Sequence, residues 1–272
     1  MNRNERTDHG PGDSAAPTAN GTTAVPPTTA TTGTVTGTGR RALLRAVVGG
    51  TAVVGAGLAL GGGAVAAPAR GRGLLTERPG SPAAALKELA EGNQRWRRMR
   101  QEHPHESEEI RQVLVSGQNP FAVVLGCIDS RVPPELVFDQ GLGDLMTVRS
   151  AGEVLDSSVI GSVAYGVLEL DIPLILVLGH QSCGAVAAAV EAEESGEELP
   201  GHLQYVVEQI FPSIDHSQHG DARVDATVTA HALNVRRQLA AEPDLAERIA
   251  DGRLAVVAAR YELADQRVHR IS

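Results

Sequence analysis

Two stretches, Phe121-Ala-Val-Val-Leu125-Gly126-Cys127 and Ile172-Pro-Leu-Ile-Leu-Val-Leu178-Gly179-His180, decide how this chain folds. Each is a short apolar run closed by a glycine, with neither helical nor alternating spacing. A strand buried on both faces reads this way. Leu145-Met-Thr-Val148 and Leu254-Ala-Val-Val-Ala-Ala259 are two further candidates. Between and before them the spacing turns helical. One helix is predicted over 81–100, with Leu86, Leu89 and Trp96 on or near one face, and others over 106–115, 157–170 and 224–239. Strands alternating with helices predict an α/β fold, a central and mostly parallel β-sheet flanked by helices. Pro173 stands at the start of its strand, where a missing backbone donor does least harm.

The whole chain of 272 residues averages unlike parts. Residues 1–39 form a Thr/Ala/Gly/Pro-rich leader, with 10 Thr between Thr18 and Thr38, and bury too little apolar surface to offset chain entropy, so disorder is expected. Residues 40–67 begin with the arginine pair Arg40-Arg41 and continue through a Gly/Ala-rich apolar run to Ala64-Val65-Ala66. They resemble a twin-arginine export signal, whose partner is the twin-arginine export machinery. The 22 residues from Ala46 to Ala67 also suffice for a membrane span, so an uncleaved signal would tether the protein. Residues 68–272 remain as a single domain, expected to be periplasmic or extracellular. The first 67 residues hold five Arg and three Asp or Glu, which leaves 19 bases against 30 acids and a charge of −11. Such acidity excludes a broad nucleic-acid surface. Two cysteines exclude a disulfide-dense scaffold.

The two long runs end alike, in Gly126-Cys127 and Gly179-His180, and Cys183 follows three residues after His180. Ligands of open parallel sheets gather beyond the carboxyl ends of the strands, so all three side chains fall at one edge. Cys183 would open a helix, whose N-terminus favours a thiolate. Two thiolates and an imidazole suit Zn²⁺, one per chain, and three protein ligands leave the open position of a catalytic site. The alternative is a Cys127–Cys183 disulfide, since an exported protein meets an oxidising compartment.

Beside the first cysteine stands Cys127-Ile-Asp129-Ser-Arg131-Val-Pro-Pro-Glu135. Next to a metal, Asp129 would either be a fourth ligand, in a closed state, or accept a hydrogen bond from the activated water. Arg131 would hold the carboxylate off by a bidentate contact. His103, His105, His216 and His219 lie in polar loops and are expected at the surface. The acidic tract 191–198 reads as a solvated helix end.

Cys-Ile-Asp-Ser-Arg-Val at 127–132 together with Gly179-His180-Gln-Ser-Cys183-Gly184 resembles the β-class carbonic anhydrases. The likeness starts near Asn93-Gln-Arg-Trp96, passes Gly141-Leu-Gly-Asp144 and Val148-Arg149-Ser-Ala-Gly152, and continues to Tyr261-Glu-Leu. It implies zinc on Cys127, His180 and Cys183, a gate formed by Asp129 and Arg131, and reversible hydration of carbon dioxide to bicarbonate and a proton. It also implies a homo-dimer or larger assembly with the site at the subunit interface. By spacing from the motifs, the substrate-binding positions are Gln118, Met146, Ala151, Tyr165 and Gly184. The family's Arg-Asn-Ala-Gly-Asn appears as Arg149-Ser150-Ala151-Gly152-Glu153, a hydroxyl and a carboxylate replacing two amides. Val124 stands where bicarbonate-inhibited members carry tryptophan, so that regulation is not expected. Enzymes that hydrolyse carbonyl sulfide or carbon disulfide use the same zinc constellation and are the alternative activity.

Overall fold

The computed structural model describes residues 78–272. The leader at 1–39, the export segment at 40–67 and the first ten residues of the catalytic domain lie outside the described residues. Among those described, no helix is long and apolar enough to cross a membrane.

Five strands form one sheet in the order β2-β1-β3-β4-β5. They are β1 (Ala122–Cys127), β2 (Leu145–Ser150), β3 (Leu174–His180), β4 (Ala255–Tyr261) and β5 (Val268–Ile271). The first four are parallel, and β5 pairs antiparallel with β4. Every residue of β1 and β3 is buried, as the unbroken apolar runs require. Successive side chains take opposite faces. Val123, Leu125, Ile175 and Val177 enter one apolar layer, while Val124, Leu174, Leu176 and Leu178 enter the other. Strand β2, expected to be apolar on both faces, is only half-buried, because it is an edge strand with a neighbour on one side.

The helices are α1 (Pro82–Arg97), α2 (Glu108–Leu114), α3 (Pro134–Val137), α4 (Ser157–Glu169), α5 (Gly184–Ser195), α6 (His202–Ile210), α7 (Gly220–Ala240) and α8 (Pro243–Ala250). Helix α1 is capped by Ser81, whose hydroxyl accepts from the Ala84 amide, and α4 by Asp156 in the same way on Val159. Val159, Val163 and Val167 of α4 pack on one face of the sheet with Val235 and Leu239 of α7. Ala85 and Leu89 of α1 pack on the other with Val137 and Phe138.

Polar groups within the likeness motifs fasten these layers. Buried Asn93 donates to the carbonyls of Val137 and Gln266 and accepts from the Val268 amide. Trp96 donates to the Tyr261 hydroxyl. Asp144 accepts from the Gly141 amide and pairs with Arg78 and His105. His105 is therefore a partner of a fully buried carboxylate rather than a free surface group. Glu193 and Glu194 of the acidic tract likewise hold the guanidinium of Arg223, with His216 beside it, so that helix end is tied to α7.

The chain leaves β1 toward β2 on one side and then returns past β1 to β3 and β4 on the other. The order therefore reverses between β1 and β3. Side chains at that reversal face a crevice that no crossover covers. Cys127 and His180 are the last residues of those two strands.

Candidate metal centre

Cys127, His180 and Cys183 converge, all three buried, with ligand atoms within 4.8 Å of one another. Gly126 pairs with Leu178, so the next residue of β1 and the last of β3 emerge side by side. After His180 the Gln181 amide donates to the Tyr261 carbonyl, Ser182 turns left-handed (φ 55°), and Cys183 becomes the N-cap of α5. That turn swings the second sulfur back toward the first.

The sulfurs are 3.9 Å apart and both cysteines are free. A disulfide needs about 2 Å. Two thiolates on a tetrahedral zinc stand about 3.8 Å apart, given Zn–S bonds near 2.3 Å. His180 Nδ1 lies 2.9 Å from the Gln181 carbonyl, which can only accept, so Nδ1 carries the proton and Nε2 presents a lone pair. That Nε2 is buried and has no hydrogen-bond partner. An orphaned imidazole nitrogen aimed at two sulfurs is the donor set of a soft, tetrahedral cation, and the three residues fit zinc.

Of the two thiols, Cys127 ionises first. The Cys183 thiol donates to it, as do the amides of Gly152 and Asp129, and together they pull it down to about 4 against the opposing effect of burial. The Gly152 amide contact is 3.3 Å. Cys183 is pushed up by sharing its proton with Cys127 and by burial. The helix N-terminus thus does not make Cys183 the readier thiolate, because two sulfurs so close cannot both carry charge without a cation between them.

Asp129 Oδ2 lies 4.0 Å from His180 Nε2. Arg131 holds both carboxylate oxygens, Nε to Oδ1 at 2.9 Å and Nη2 to Oδ2 at 2.6 Å, and its amide adds a contact to Oδ1 at 2.9 Å. The guanidinium beside it draws the Asp129 carboxyl down to about 2. Arg131 is itself anchored on the Ser182 carbonyl. Arg149 of β2 donates to the carbonyls of Cys127 and Asp129 and fixes the turn between them. These backbone contacts have no sequence signal of their own.

Of the expected substrate positions, Ala151 and Gly184 stand at the metal edge. Ala151 opens the turn Ala151–Glu153 that carries the Gly152 amide, and Gly184 is the first residue of α5. The other three stand elsewhere in the same chain. Met146 pairs with Val123, four residues back from Cys127, or roughly 13 Å along the strand. Exposed Gln118 precedes β1 at its far end. Tyr165 is exposed on α4, neither core nor at the metal, and lines a groove of about 740 Å³ with Met146, Val148 and Arg149 along edge strand β2. Ser150 spends its hydroxyl on the Val154 carbonyl. Glu153 is buried, with Oε1 unpartnered, and burial plus the charge on Cys127 push its carboxyl well above the usual range.

A family model described as carbonic anhydrase matches residues 122–268. Carbonic anhydrase 2 of Mycobacterium tuberculosis is 47% identical over 189 residues, covering 69% of this chain and 91% of that protein. The carbonic anhydrase of Mycolicibacterium smegmatis is 44% identical over 190 residues, covering 69% and 92%. Among solved structures, the β-carbonic anhydrase CafA of Aspergillus fumigatus is 26% identical with a TM-score of 0.54, over 70% of this chain and 90% of that one.

Proposed function

The chain belongs to the β-class carbonic anhydrases and is a carbonate dehydratase, and we propose that it works with one zinc ion held by Cys127 Sγ, His180 Nε2 and Cys183 Sγ. The observation that carries this reading is the buried, partnerless Nε2 of His180 facing two sulfurs at the spacing of a tetrahedral site. Zinc, when bound, supplies the Lewis acidity that lets water act as a nucleophile near neutral pH.

The protein's own groups orient the reaction. Asp129, 4.0 Å from His180 Nε2, would accept a hydrogen bond from the attacking water, and Arg131, which grips the carboxylate, would keep it from becoming a ligand itself. With the Arg131 contact released, Asp129 would be free to serve as a fourth ligand. Carbon dioxide rests against Ala151, Met146 and Tyr165 near Gly184, and Gln118 binds an oxygen of bicarbonate. Because only Ala151 and Gly184 stand at their own chain's metal edge, a second copy is needed to bring the rest. The groove along β2 and α4 and the exposed Ile128 beside Cys127 support a homo-dimer or larger assembly with shared pockets.

The segment at 40–67 supports export through the twin-arginine machinery, which carries folded proteins and so lets zinc load before the thiolates meet an oxidising compartment. Stopped-flow carbon dioxide hydration with metal analysis of the same sample tests the activity. Zinc near one per chain with hydration supports it; protein that holds no zinc and does not hydrate carbon dioxide refutes it. Turnover of carbonyl sulfide and carbon disulfide in the same sample separates the alternative hydrolases.

A further inference from the structure

His231 lies on α7 and is almost fully buried. Its Nε2 is 2.7 Å from the carbonyl of Gly152, and its Nδ1 is 3.1 Å from the hydroxyl of Ser213. A carbonyl can only accept, so Nε2 carries the proton and donates to Gly152; Nδ1 then accepts from the Ser213 hydroxyl. The Ser213 oxygen accepts in turn from the Asn234 amide at 3.1 Å. Every hydrogen-bonding group of the neutral ring is satisfied, and burial lowers its pKa and so keeps it neutral.

The next residue in this chain of contacts is the one whose amide reaches the metal centre. The N–H of Gly152 donates to Cys127 Sγ at 3.3 Å. Gly152 holds the left-handed backbone (φ 61°), and a side chain there would press on Ile210 and Ala185. A glycine enters that conformation as readily as its mirror, so the residue does not by itself fix where its amide points. Its carbonyl is pinned by His231, and the N–H on the other side of the same Cα is thereby aimed at the sulfur.

We propose that His231 is a positioning residue of the metal centre, holding Gly152 so that its amide stays on the Cys127 sulfur. This rests on the reading of Cys127 as a zinc ligand. A hydrogen bond to a ligand thiolate drains charge from the sulfur and orients its lone pairs, so the distant ring tunes both how tightly the cation is held and the electronic character of the sulfur–metal bond.

Zinc affinity by chelator competition, the sulfur-to-cobalt charge-transfer band of the cobalt-substituted protein, and thermal midpoints would be compared for wild type, His231→Leu and His231→Gln. Leucine removes the donor; glutamine restores an N–H that reaches the Gly152 carbonyl. His231→Leu should weaken zinc binding about 10–100-fold and shift the cobalt band, with His231→Gln recovering most of both. A folded His231→Leu protein with wild-type affinity and an unshifted band, whatever its thermal midpoint, assigns the ring to packing alone and overturns the proposal. Should His231→Leu not fold, ¹⁵N histidine shifts of the wild-type zinc protein decide: a proton on Nε2 is expected, and a proton on Nδ1 overturns it. Wild-type protein that binds no zinc at all refutes the metal reading instead.

Discussion

Arg131 grips both carboxylate oxygens of Asp129, at 2.9 and 2.6 Å, while the same carboxylate looks toward His180 Nε2 from 4.0 Å. On the proposed mechanism, that grip would decide whether Asp129 serves the reaction or blocks it. Arg131→Ala should keep its zinc and lose turnover by at least about 100-fold, because the freed carboxylate moves onto the cation. Cobalt-substituted protein gives the check: an unchanged ligand-field spectrum in the variant would count against this role. The Asp129 carboxyl is depressed to about 2, so the contact contributes fully above the usual aspartate pKa near 4 and is lost only as pH falls through about 2. The dyad should therefore impose no pH dependence on activity between about pH 5 and 9.

Removing a ligand is a harsher change. Cys183→Ala should lose zinc and hydration together, measured by metal analysis and stopped flow on one preparation. In wild-type protein stripped of metal and denatured under anaerobic conditions, two thiols should titrate, as the 3.9 Å sulfur separation requires.

The proposal that two copies share each pocket can be tested by mixing. Cys183→Ala and Gln118→Ala chains should each be inactive alone, whereas a dimer of one of each would have one site with both halves intact. Co-refolded chains should recover up to about a quarter of wild-type activity. Activity no greater than the sum of the separate variants would refute a pocket built from two copies.

Glu153 is buried beside Cys127 with an unpartnered oxygen, and its carboxyl is raised. A raised carboxyl contributes stability that is full below the unfolded value near 4.3 and is lost as pH rises toward the native value. Glu153→Gln removes that loss. Thermal unfolding of the zinc-loaded proteins should show the variant gaining steadily on wild type from pH 5 to pH 8. A constant difference across that range would contradict the assignment.

At Gly92 an added methyl would overlap the carbonyl of Phe138, where α1 lies against the C-terminal end of α3. Gly92→Ala should therefore destabilise the protein by about 1–3 kcal/mol in denaturant unfolding, with zinc stoichiometry unchanged.

The parallel sheet was legible because β1 and β3 are buried on both faces, and a strand with no polar face leaves an unbroken apolar word in the sequence. Strand β5 left none: Val268-His-Arg-Ile271 is four residues long and takes its place only by pairing with β4. The convergence of Cys127, His180 and Cys183 was legible because chemistry and strand ends coincide, and the contact of Asp129 with Arg131 because they share the same turn. His231 was not, since one histidine in an amphipathic helix has the same pattern whether it fills space or holds a carbonyl. The Arg149 clamp escaped for a related reason: its acceptors are backbone oxygens, which every residue carries. Spacing from the motifs located Gln118, Met146 and Tyr165 along the chain, but said nothing of how far each stands from the metal edge of its own chain.

Cys127 and Cys183 are 56 residues apart in sequence, and the pairing of β1 with β3 extends only to Gly126 and Leu178. An ion gripping both sulfurs and the His180 ring would act as a rivet through two strands and the start of a helix, beyond the point where the backbone ladder stops. Folding and metal capture then become one transaction: at free zinc 100-fold above its dissociation constant, the rivet adds about 2.7 kcal/mol to the folded state. A starved or chelated environment would show itself first as protein that melts early, before any change in its chemistry could be measured.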